Sequence, residues 1–188
     1  MSCLKEHIIV LVGMMGCGKT TIGKKLSTII PMPFIDSDAV IEQRYRMSIQ
    51  HIFRRHGEDV FRHYERECII HTILERPASV VALGGGAFIQ KAIRDAITRQ
   101  HAISLWLDVP LPILTQRLAR KNAHRPLLHG KNTRHRLRTL YRQRQPFYAQ
   151  ANIRCPCSME KPDITTRQAL DALQHYVQHK EWSCNSTS

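Results

Sequence analysis

Residues 7–20 read HIIVLVGMMGCGKT: a mostly apolar run up to Val12, and then Gly13 to Thr20 in the pattern G-x-x-x-x-G-K-[ST]. Glycines let the backbone of such a loop point successive N–H groups at one anion, and the positive end of the following helix strengthens the binding. The apolar strand before the loop and the helical pattern TIGKKL after it are the context that the motif requires, which disfavours a chance glycine-rich turn.

The motif predicts that this loop binds the polyphosphate of a nucleotide. Lys19 would reach the β- and γ-phosphates, and the Thr20 hydroxyl would ligate the Mg²⁺ that bridges them. The nucleotide-binding residues predicted in this segment are Gly13, Gly16, Cys17, Gly18, Lys19, Thr20 and Thr21.

Outward from the loop, short apolar strands alternate with helical patterns. Strands are predicted at 8–12, 33–35, 79–83, 102–107 and 152–154, and helices at 19–29, 39–46, 48–56, 58–75, 90–98, 110–120, 133–150 and 165–178. Short, mostly apolar strands separated by helices are typical of a parallel sheet that is covered on both faces. We therefore predict an α/β fold, a three-layer doubly wound parallel sheet of about five strands, in a single domain over 1–188.

Two segments depart from this alternation, and a third lies beyond it at the end of the chain. Residues 36–76 hold more helical chain than one crossover requires, and we interpret them as a substrate-binding insertion. Residues 121–132, KNAHRPLLHGKN, are polar and basic with Pro and Gly; composition fits equally a lid over bound phosphates and an ordinary surface loop. For the tail 181–188 we expect disorder.

The composition limits the possible partners. In 188 residues, 28 Lys and Arg against 15 Asp and Glu give a net charge of +13, which favours anions but does not separate a small acidic substrate from nucleic acid. No apolar stretch reaches the roughly 18 residues that span a bilayer, and the first strand begins too early for a signal peptide. The six cysteines include no C-x-x-C pair, which indicates reduced thiols. We expect a cytoplasmic monomer without a membrane partner.

Two carboxylates, Asp36 and Asp38, follow the second predicted strand. Ligands of open α/β sheets bind outside the carboxyl ends of the strands, so both carboxylates should face the site. If the backbone stays extended, the two side chains point the same way, with Asp36 holding Mg²⁺ through water and Asp38 accepting from a substrate hydroxyl. Alternatively, Asp38 is only the N-cap of the helix that begins at Ala39.

Arg62 and Glu65 lie three residues apart on one face of a predicted helix. A carboxylate can fix the orientation of an arginine, whose planar group can then bind a substrate carboxylate through two hydrogen bonds. From the spacing alone, an exposed ion pair of little consequence is the commoner explanation.

The sequence Gly84-Gly85-Gly86 directly follows the third predicted strand. Three glycines permit a backbone with exposed N–H groups that a ligand can approach closely, whereas a tight turn needs fewer of them.

In their order and spacing, these motifs resemble the shikimate kinases, which are small P-loop kinases. The likeness covers nearly the whole chain, and it rests on residues 13–20, Asp36-Ser37-Asp38, Ile52-Phe53, Gly57-Glu58, Phe61-Arg62, Gly84-Gly85-Gly86, Arg125-Pro126-Leu127-Leu128 and Arg144-Gln145-Pro146-Phe147-Tyr148.

The resemblance implies a P-loop NTPase fold, ATP as co-substrate, Mg²⁺ as cofactor and shikimate as acceptor. It implies that Lys19, Asp38 and Arg125 are catalytic, with Arg125 entering on lid closure, and that Thr20 and Asp36 hold the metal. The implied acceptor residues are Asp38, Arg62, Glu65, Gly84, Gly85, Gly86 and Arg144, and Arg120 and Arg125 are the further nucleotide contacts.

Two rival functions remain open from the sequence. Another small-molecule kinase, for gluconate or a nucleoside monophosphate, would share the loop and lid, but the triple glycine and Phe61-Arg62 disfavour it. A nucleic-acid-binding NTPase module would suit the charge, yet aromatic residues in the basic region are limited to Tyr141, Phe147 and Tyr148, and no recognised binding motif accompanies them. We therefore expect a small-molecule substrate and no nucleic acid.

Overall fold

Five parallel strands form one sheet in the order β2-β3-β1-β4-β5. The computed structural model describes residues 3–120 and 133–185, with side chains described for 4–119 and 134–179. The strands are β1 Ile9–Val12, β2 Phe34–Asp36, β3 Val80–Ala82, β4 Ile103–Asp108 and β5 Ile153–Pro156. Each predicted strand is present, with ends shifted by at most two residues. The predicted doubly wound parallel sheet is confirmed.

Seven α-helices are described, and helices cover both faces of the sheet. They are α1 Lys19–Ile29, α2 Ser37–Tyr45, α3 Ile49–Cys68, α4 Lys91–Arg99, α5 Leu111–Arg120, α6 Thr133–Tyr148 and α7 Pro162–Asn185. Short 3₁₀ turns occupy Cys3–Glu6 and Ala87–Ile89, and a π turn at Ile69–Ile73 continues α3. Among the described residues, no helix combines the length and the apolarity that crossing a membrane requires.

Two helices depart from their predicted bounds in an informative way. The predicted helices 48–56 and 58–75 are one element, α3, which bends at Gly57 because that residue has φ 81° and ψ 178°. A left-handed φ is readily adopted by glycine, so the chain turns there without ending the helical segment. Helix α7 continues past its predicted end at 178 as far as Asn185 and so takes in part of the segment 181–188, for which we expected disorder.

The core is divided into a main cluster around the sheet and a small second cluster. All four residues of β1 are buried at the centre of the main cluster, as expected for a strand covered on both faces. The second cluster holds Ile41, Ile52, Phe61 and Cys68, from α2 and α3 alone. These two helices therefore have a small core of their own, which fixes α3 beside the carboxyl end of the sheet.

Candidate active site

The phosphate-binding loop connects β1 to α1. Gly13, Gly16 and Gly18 have φ values of 137°, 79° and 105°, which residues with a side chain rarely adopt. At Gly13 a Cβ atom would also lie 2.8 Å from the carbonyl oxygen of Leu107 at the end of β4. The loop closes through a hydrogen bond from Cys17 N to Met14 O of 3.2 Å. Its glycines are therefore required both by backbone conformation and by close packing.

Lys19 lies within this loop rather than extending away from it. Its ammonium donates to the carbonyl oxygens of Gly13, at 2.8 Å, and Met14, at 3.1 Å. Arg117 of α5 contacts the same loop by donating to Cys17 O at 3.3 Å, and it also donates to Ser158 O at 3.2 Å. Arg117 belongs to no motif, so no role was predicted for it from the sequence.

Thr20 and Asp36, the predicted metal-binding residues, lie together. Thr20 Oγ1 donates to Asp36 Oδ2 at 2.9 Å, while Asp36 Oδ1 accepts from the backbone N–H of Asp38 at 3.1 Å. Asp36 is thus the N-cap of α2, and the interpretation of Asp38 as the cap is wrong. The expected extended spacing is wrong too, since the helix begins at Ser37, directly after β2.

A cavity of about 420 Å³ opens beside the phosphate-binding loop. Every acceptor residue predicted from the sequence lines it, and these residues come from α2, α3, the segment after β3 and α6: Asp38, Arg62, Glu65, Gly84, Gly85, Gly86 and Arg144. Met15 of the loop and the aromatic rings of Phe53 and Phe61 complete much of the remaining wall. The cavity therefore combines cationic, anionic and apolar side chains next to the predicted phosphate site.

Arg62 and Glu65 form a buried ion pair within this cavity. Arg62 Nη1 lies 2.6 Å from Glu65 Oε2, and the side chain of Glu65 is only 1% exposed. On the other side of Arg62, Nη2 lies 3.0 Å from Glu58 Oε1. The exposed pair that the spacing alone favoured is therefore excluded, and Arg62 is held from two directions.

Burial and charge oppose each other in this pair. Burial disfavours the charged form of Arg62, but the neighbouring carboxylates of Glu65 and Glu58 outweigh it and raise the pKa of the guanidinium. Burial also raises the pKa of Glu65, and the nearby charge of Asp38 raises it further against the opposing effect of Arg62. The guanidinium thus remains charged and oriented, as binding of an anion requires.

The triple glycine makes room for these side chains. A Cβ atom at Gly84 would lie 2.7 Å from Asp38 Oδ1 and 2.8 Å from Glu65 Oε1, and one at Gly86 would lie 2.5 Å from both terminal nitrogens of Arg62. Gly84 N donates to Ser37 Oγ at 2.9 Å. The left-handed glycines of the described chain are Gly13, Gly16, Gly18 and Gly57, so an unusual conformation does not explain Gly84 and Gly86, and the lack of a side chain does.

Arg144 and Tyr148 fix the middle of the triple glycine from α6. Arg144, 4% exposed, donates through Nη1 to Gly85 O at 3.1 Å, and the Tyr148 hydroxyl donates to the same oxygen. Burial raises the pKa of Tyr148, so it remains a hydrogen-bond donor. Tyr148 had no role predicted from the sequence, and its function as a donor required the folded structure.

Three predictions concern residues that lie wholly or partly outside the described part of the chain. Arg125 and the lid 121–132 fall outside the described residues, and Arg120 is described only as the last backbone position of α5. Thr21 is described and its side chain is exposed. The roles predicted for these residues therefore remain predictions.

Gly86→Ala should impair the acceptor site while leaving the fold intact. The new methyl group meets only the end of the flexible Arg62 side chain, which can move but then loses its contact with Glu65 and its orientation. We expect the KM for the acceptor to rise about tenfold or more, as for one displaced charged hydrogen bond, and the melting temperature to fall only modestly, because Gln90 still donates to Glu65. Thr98→Ala, at an exposed position of α4 outside the cavity, is the control, and an unchanged KM for the acceptor in Gly86→Ala would contradict this role.

The fold and the site together define a class of protein. A phosphate-binding loop and a cavity with fixed arginines meet at the carboxyl edge of one parallel sheet, as in P-loop kinases of small anionic acceptors. The family model for shikimate kinase matches residues 15–174. This chain belongs to the shikimate kinase family.

Individual relatives agree with this assignment. The shikimate kinase of Bartonella henselae is 38% identical over 94% of this chain and 83% of its own length, and that of Novosphingobium aromaticivorans is 40% identical over 90% and 88%. A solved shikimate kinase from Acinetobacter baumannii, in complex with shikimate, superposes with a TM-score of 0.85 at 31% identity, over 93% of this chain and 97% of that one. A gluconokinase from Sinorhizobium meliloti, at 15% identity and a TM-score of 0.64, shares the fold alone.

Proposed function

We propose that this protein transfers the γ-phosphoryl group of ATP to the 3-hydroxyl of shikimate, producing shikimate 3-phosphate and ADP for the biosynthesis of chorismate and the aromatic amino acids. The observation that supports this best is the convergence of every predicted acceptor residue on one cavity beside the phosphate-binding loop. Family membership and the shikimate complex of the A. baumannii relative support the same acceptor.

In this proposal, Arg62 and Arg144 bind the carboxylate of shikimate. Both line the cavity, and both are held before a ligand arrives, Arg62 by Glu65 and Glu58 and Arg144 by Gly85 O. A planar guanidinium matches a carboxylate through two parallel hydrogen bonds. Because the arginines need not be ordered on binding, more of the interaction energy remains as affinity.

In this proposal, Asp38 orients the acceptor hydroxyl that is phosphorylated. It lines the cavity at the start of α2, next to the loop that positions the phosphates. Phosphoryl transfer passes through a loose, negatively charged transition state, so the acceptor needs alignment more than early deprotonation. Asp38 would aim the hydroxyl and take its proton as transfer proceeds, while Lys19, and Arg125 on lid closure, would balance the charge of the phosphates.

Thr20 and Asp36 fit a magnesium ion. Their oxygens lie 2.9 Å apart beside the phosphate-binding loop, and Mg²⁺ in nucleotide sites takes one or two protein oxygens together with phosphates and water. Held by these two residues, the ion would supply positive charge that neutralises part of the charge of the phosphates. We propose that Thr20 contacts it directly and Asp36 through water.

One screen tests the substrate assignment. ADP release from ATP would be measured in the presence of shikimate, gluconate or nucleoside monophosphates in turn, with an acceptor-free sample for background hydrolysis. We expect release with shikimate alone. Release only with another acceptor would refute the proposal and identify the correct substrate class.

The proposal extends to the setting of the reaction. We propose that the enzyme acts as a monomer in the cytoplasm on small molecules, without nucleic acid or membrane partners. Sedimentation equilibrium tests the monomeric state. Titration with RNA and DNA at low and moderate salt tests the expected lack of nucleic-acid binding, since binding driven by phosphate contacts would weaken steeply with salt.

Arg62→Leu should separate acceptor binding from nucleotide binding. We expect shikimate affinity to fall by about 1.5 to 3 kcal/mol, the range for hydrogen bonds to charged groups, and ATP affinity to stay nearly unchanged. Isothermal calorimetry with each ligand measures both. Arg54→Leu, at an exposed position of the same helix, is the control, and equal losses of the two affinities in Arg62→Leu would show that Arg62 is structural.

A further inference from the structure

Gln90 contacts the buried ion pair from outside the elements that form it. It lies directly after the 3₁₀ turn Ala87–Ile89, which follows the triple glycine, and its Nε2 donates to Glu65 Oε2 at 2.9 Å. The same oxygen accepts from Arg62 Nη1 at 2.6 Å. Two donors from different parts of the chain therefore converge on one carboxylate oxygen.

This arrangement determines where the other oxygen of Glu65 lies. Oε1 is buried, and no donor contacts it among the described residues. It is 2.8 Å from the position that a Cβ atom of Gly84 would take, and Asp38 Oδ1 is 2.7 Å from the same position. With both donors on Oε2, the carboxylate cannot rotate without breaking a hydrogen bond, so Glu65 holds Arg62 in one orientation.

The side chain of Gln90 is not needed by its own helix. Gln90 is the N-cap residue of α4, yet in the described structure its side chain makes no capping hydrogen bond. Ser, Thr, Asn and Asp are the residues favoured there. Its backbone is fixed independently, because Gln90 N donates to Ala87 O at 3.1 Å and Arg94 Nη1 donates to Phe88 O at 2.8 Å. Helix stability therefore does not account for a glutamine at this position.

We propose that Gln90 is a positioning residue of the acceptor site, which acts through Glu65 to hold Arg62 in the orientation that binds the acceptor carboxylate. The inference rests on the proposed function. Gln90 makes no contact with the acceptor in this role. Because it acts through the arginine that binds the acceptor carboxylate, its loss should affect acceptor binding more than the rate of transfer.

The charges around Glu65 add a pH signature. Burial and the charge of Asp38 raise the pKa of this carboxyl, whereas Arg62 and the hydrogen bond from Gln90 lower it. Among the described residues, the other charged groups that face Arg62 or the cavity are Glu42, Glu58 and Arg144. Loss of the Gln90 amide would raise the pKa of Glu65 further. Protonation of Glu65 on acidification would then begin at a higher pH, and the acid limb of kcat/KM for the acceptor would shift upward.

Gln90→Ser tests this role because serine can cap α4 but cannot reach Glu65. We expect the KM for shikimate to rise about tenfold, the ratio that loss of one charge-assisted hydrogen bond gives. The KM for ATP should be unchanged, kcat should change less than about threefold, and the melting temperature should stay equal or rise. Gln100→Ser, at the exposed other end of α4, is the control. Gln90→Glu, which places a second carboxyl beside Glu65, should shift the acid limb further than Gln90→Ser does.

Each outcome decides the matter. An unchanged KM for shikimate in Gln90→Ser, or a KM that rises only together with a lower melting temperature, would overturn the positioning role. If the wild-type protein shows no shikimate-dependent ADP release, the proposed function fails and this inference fails with it. If the wild-type protein does turn over shikimate, a Gln90→Ser variant with the wild-type KM for shikimate would overturn the inference alone.

Discussion

Lys19→Met should reduce kcat by about 10³-fold or more, the scale on which phosphoryl transfer depends on a cation at the transferring group. The Lys19 ammonium donates to Gly13 O and Met14 O, inside the loop whose backbone is shaped to bind phosphates. Methionine keeps the length and much of the apolar stem, but it has no charge and no donor. A coupled ADP-release assay at saturating shikimate and ATP measures the loss.

The same change should leave the acceptor half of the site intact. Shikimate binding by calorimetry should be retained, because Arg62 and Arg144 do not contact Lys19 among the described interactions. Thermal unfolding should be measured in parallel, because the Lys19 ammonium also donates to two carbonyl oxygens of the loop and its loss could affect stability. Lys24→Met, at an exposed position of α1, is the matched control. Turnover near the wild-type rate in Lys19→Met would contradict the role assigned to the loop.

The sheet could be predicted because its strands have a simple physical signature. The central strand β1 is buried along its whole length, so a continuous apolar run is required of it, and the glycines that follow mark its end. The bend at Gly57 shows the limit of such signals. A glycine between two helical patterns predicts an interruption, but the sequence does not say whether the chain stops or only changes direction there.

The predicted acceptor residues line one cavity, but their environment there could not be predicted from the sequence. The i,i+3 spacing of Arg62 and Glu65 places both on one face of a helix in any fold. Burial of that face depends on Gly84 and Gly86, which come from the end of another strand and leave space for both side chains. Tertiary packing therefore decides whether this pair is an exposed contact or a buried ion pair that orients Arg62.

Two residues of the site had no role predicted from the sequence, for related reasons. Gln90 and Tyr148 act through hydrogen bonds to groups distant in the sequence, Glu65 and Gly85 O, and no local pattern reports such contacts. The cap of α2 was misplaced because Asp36 and Asp38 are both suitable capping residues. The choice between them depends on where β2 ends, which sequence patterns locate only to within a few residues.

Asp38→Asn should lower kcat by about 10² to 10⁴-fold, the range for loss of a general base. Asparagine keeps the shape of the side chain and can still accept a hydrogen bond from the hydroxyl of the acceptor, but it cannot take the proton. The KM for shikimate should change much less, because the arginines proposed to bind its carboxylate are untouched. Steady-state kinetics with both substrates varied separates the two parameters, and Asp59→Asn, at an exposed position of α3, is the control.

Stability should change in the opposite direction to activity in this variant. A buried carboxyl with a raised pKa favours the folded state while it is protonated and loses that contribution as the pH rises through the folded-state pKa. Burial is the main cause for Glu65, and the charge of Asp38 adds to it. Asp38→Asn removes that charge, so the pKa of Glu65 should fall and the loss of stability toward neutral pH should become smaller. We therefore expect a melting temperature at pH 7 no lower than that of the wild type.

Asp38→Ala distinguishes the two proposed functions of the carboxylate, which are orienting the hydroxyl and removing its proton. A kcat far below that of Asp38→Asn would assign most of the effect of Asp38 to orienting the hydroxyl, whereas equal values would assign it to proton removal. A kcat of Asp38→Asn within about twofold of the wild-type value would refute proton removal by Asp38.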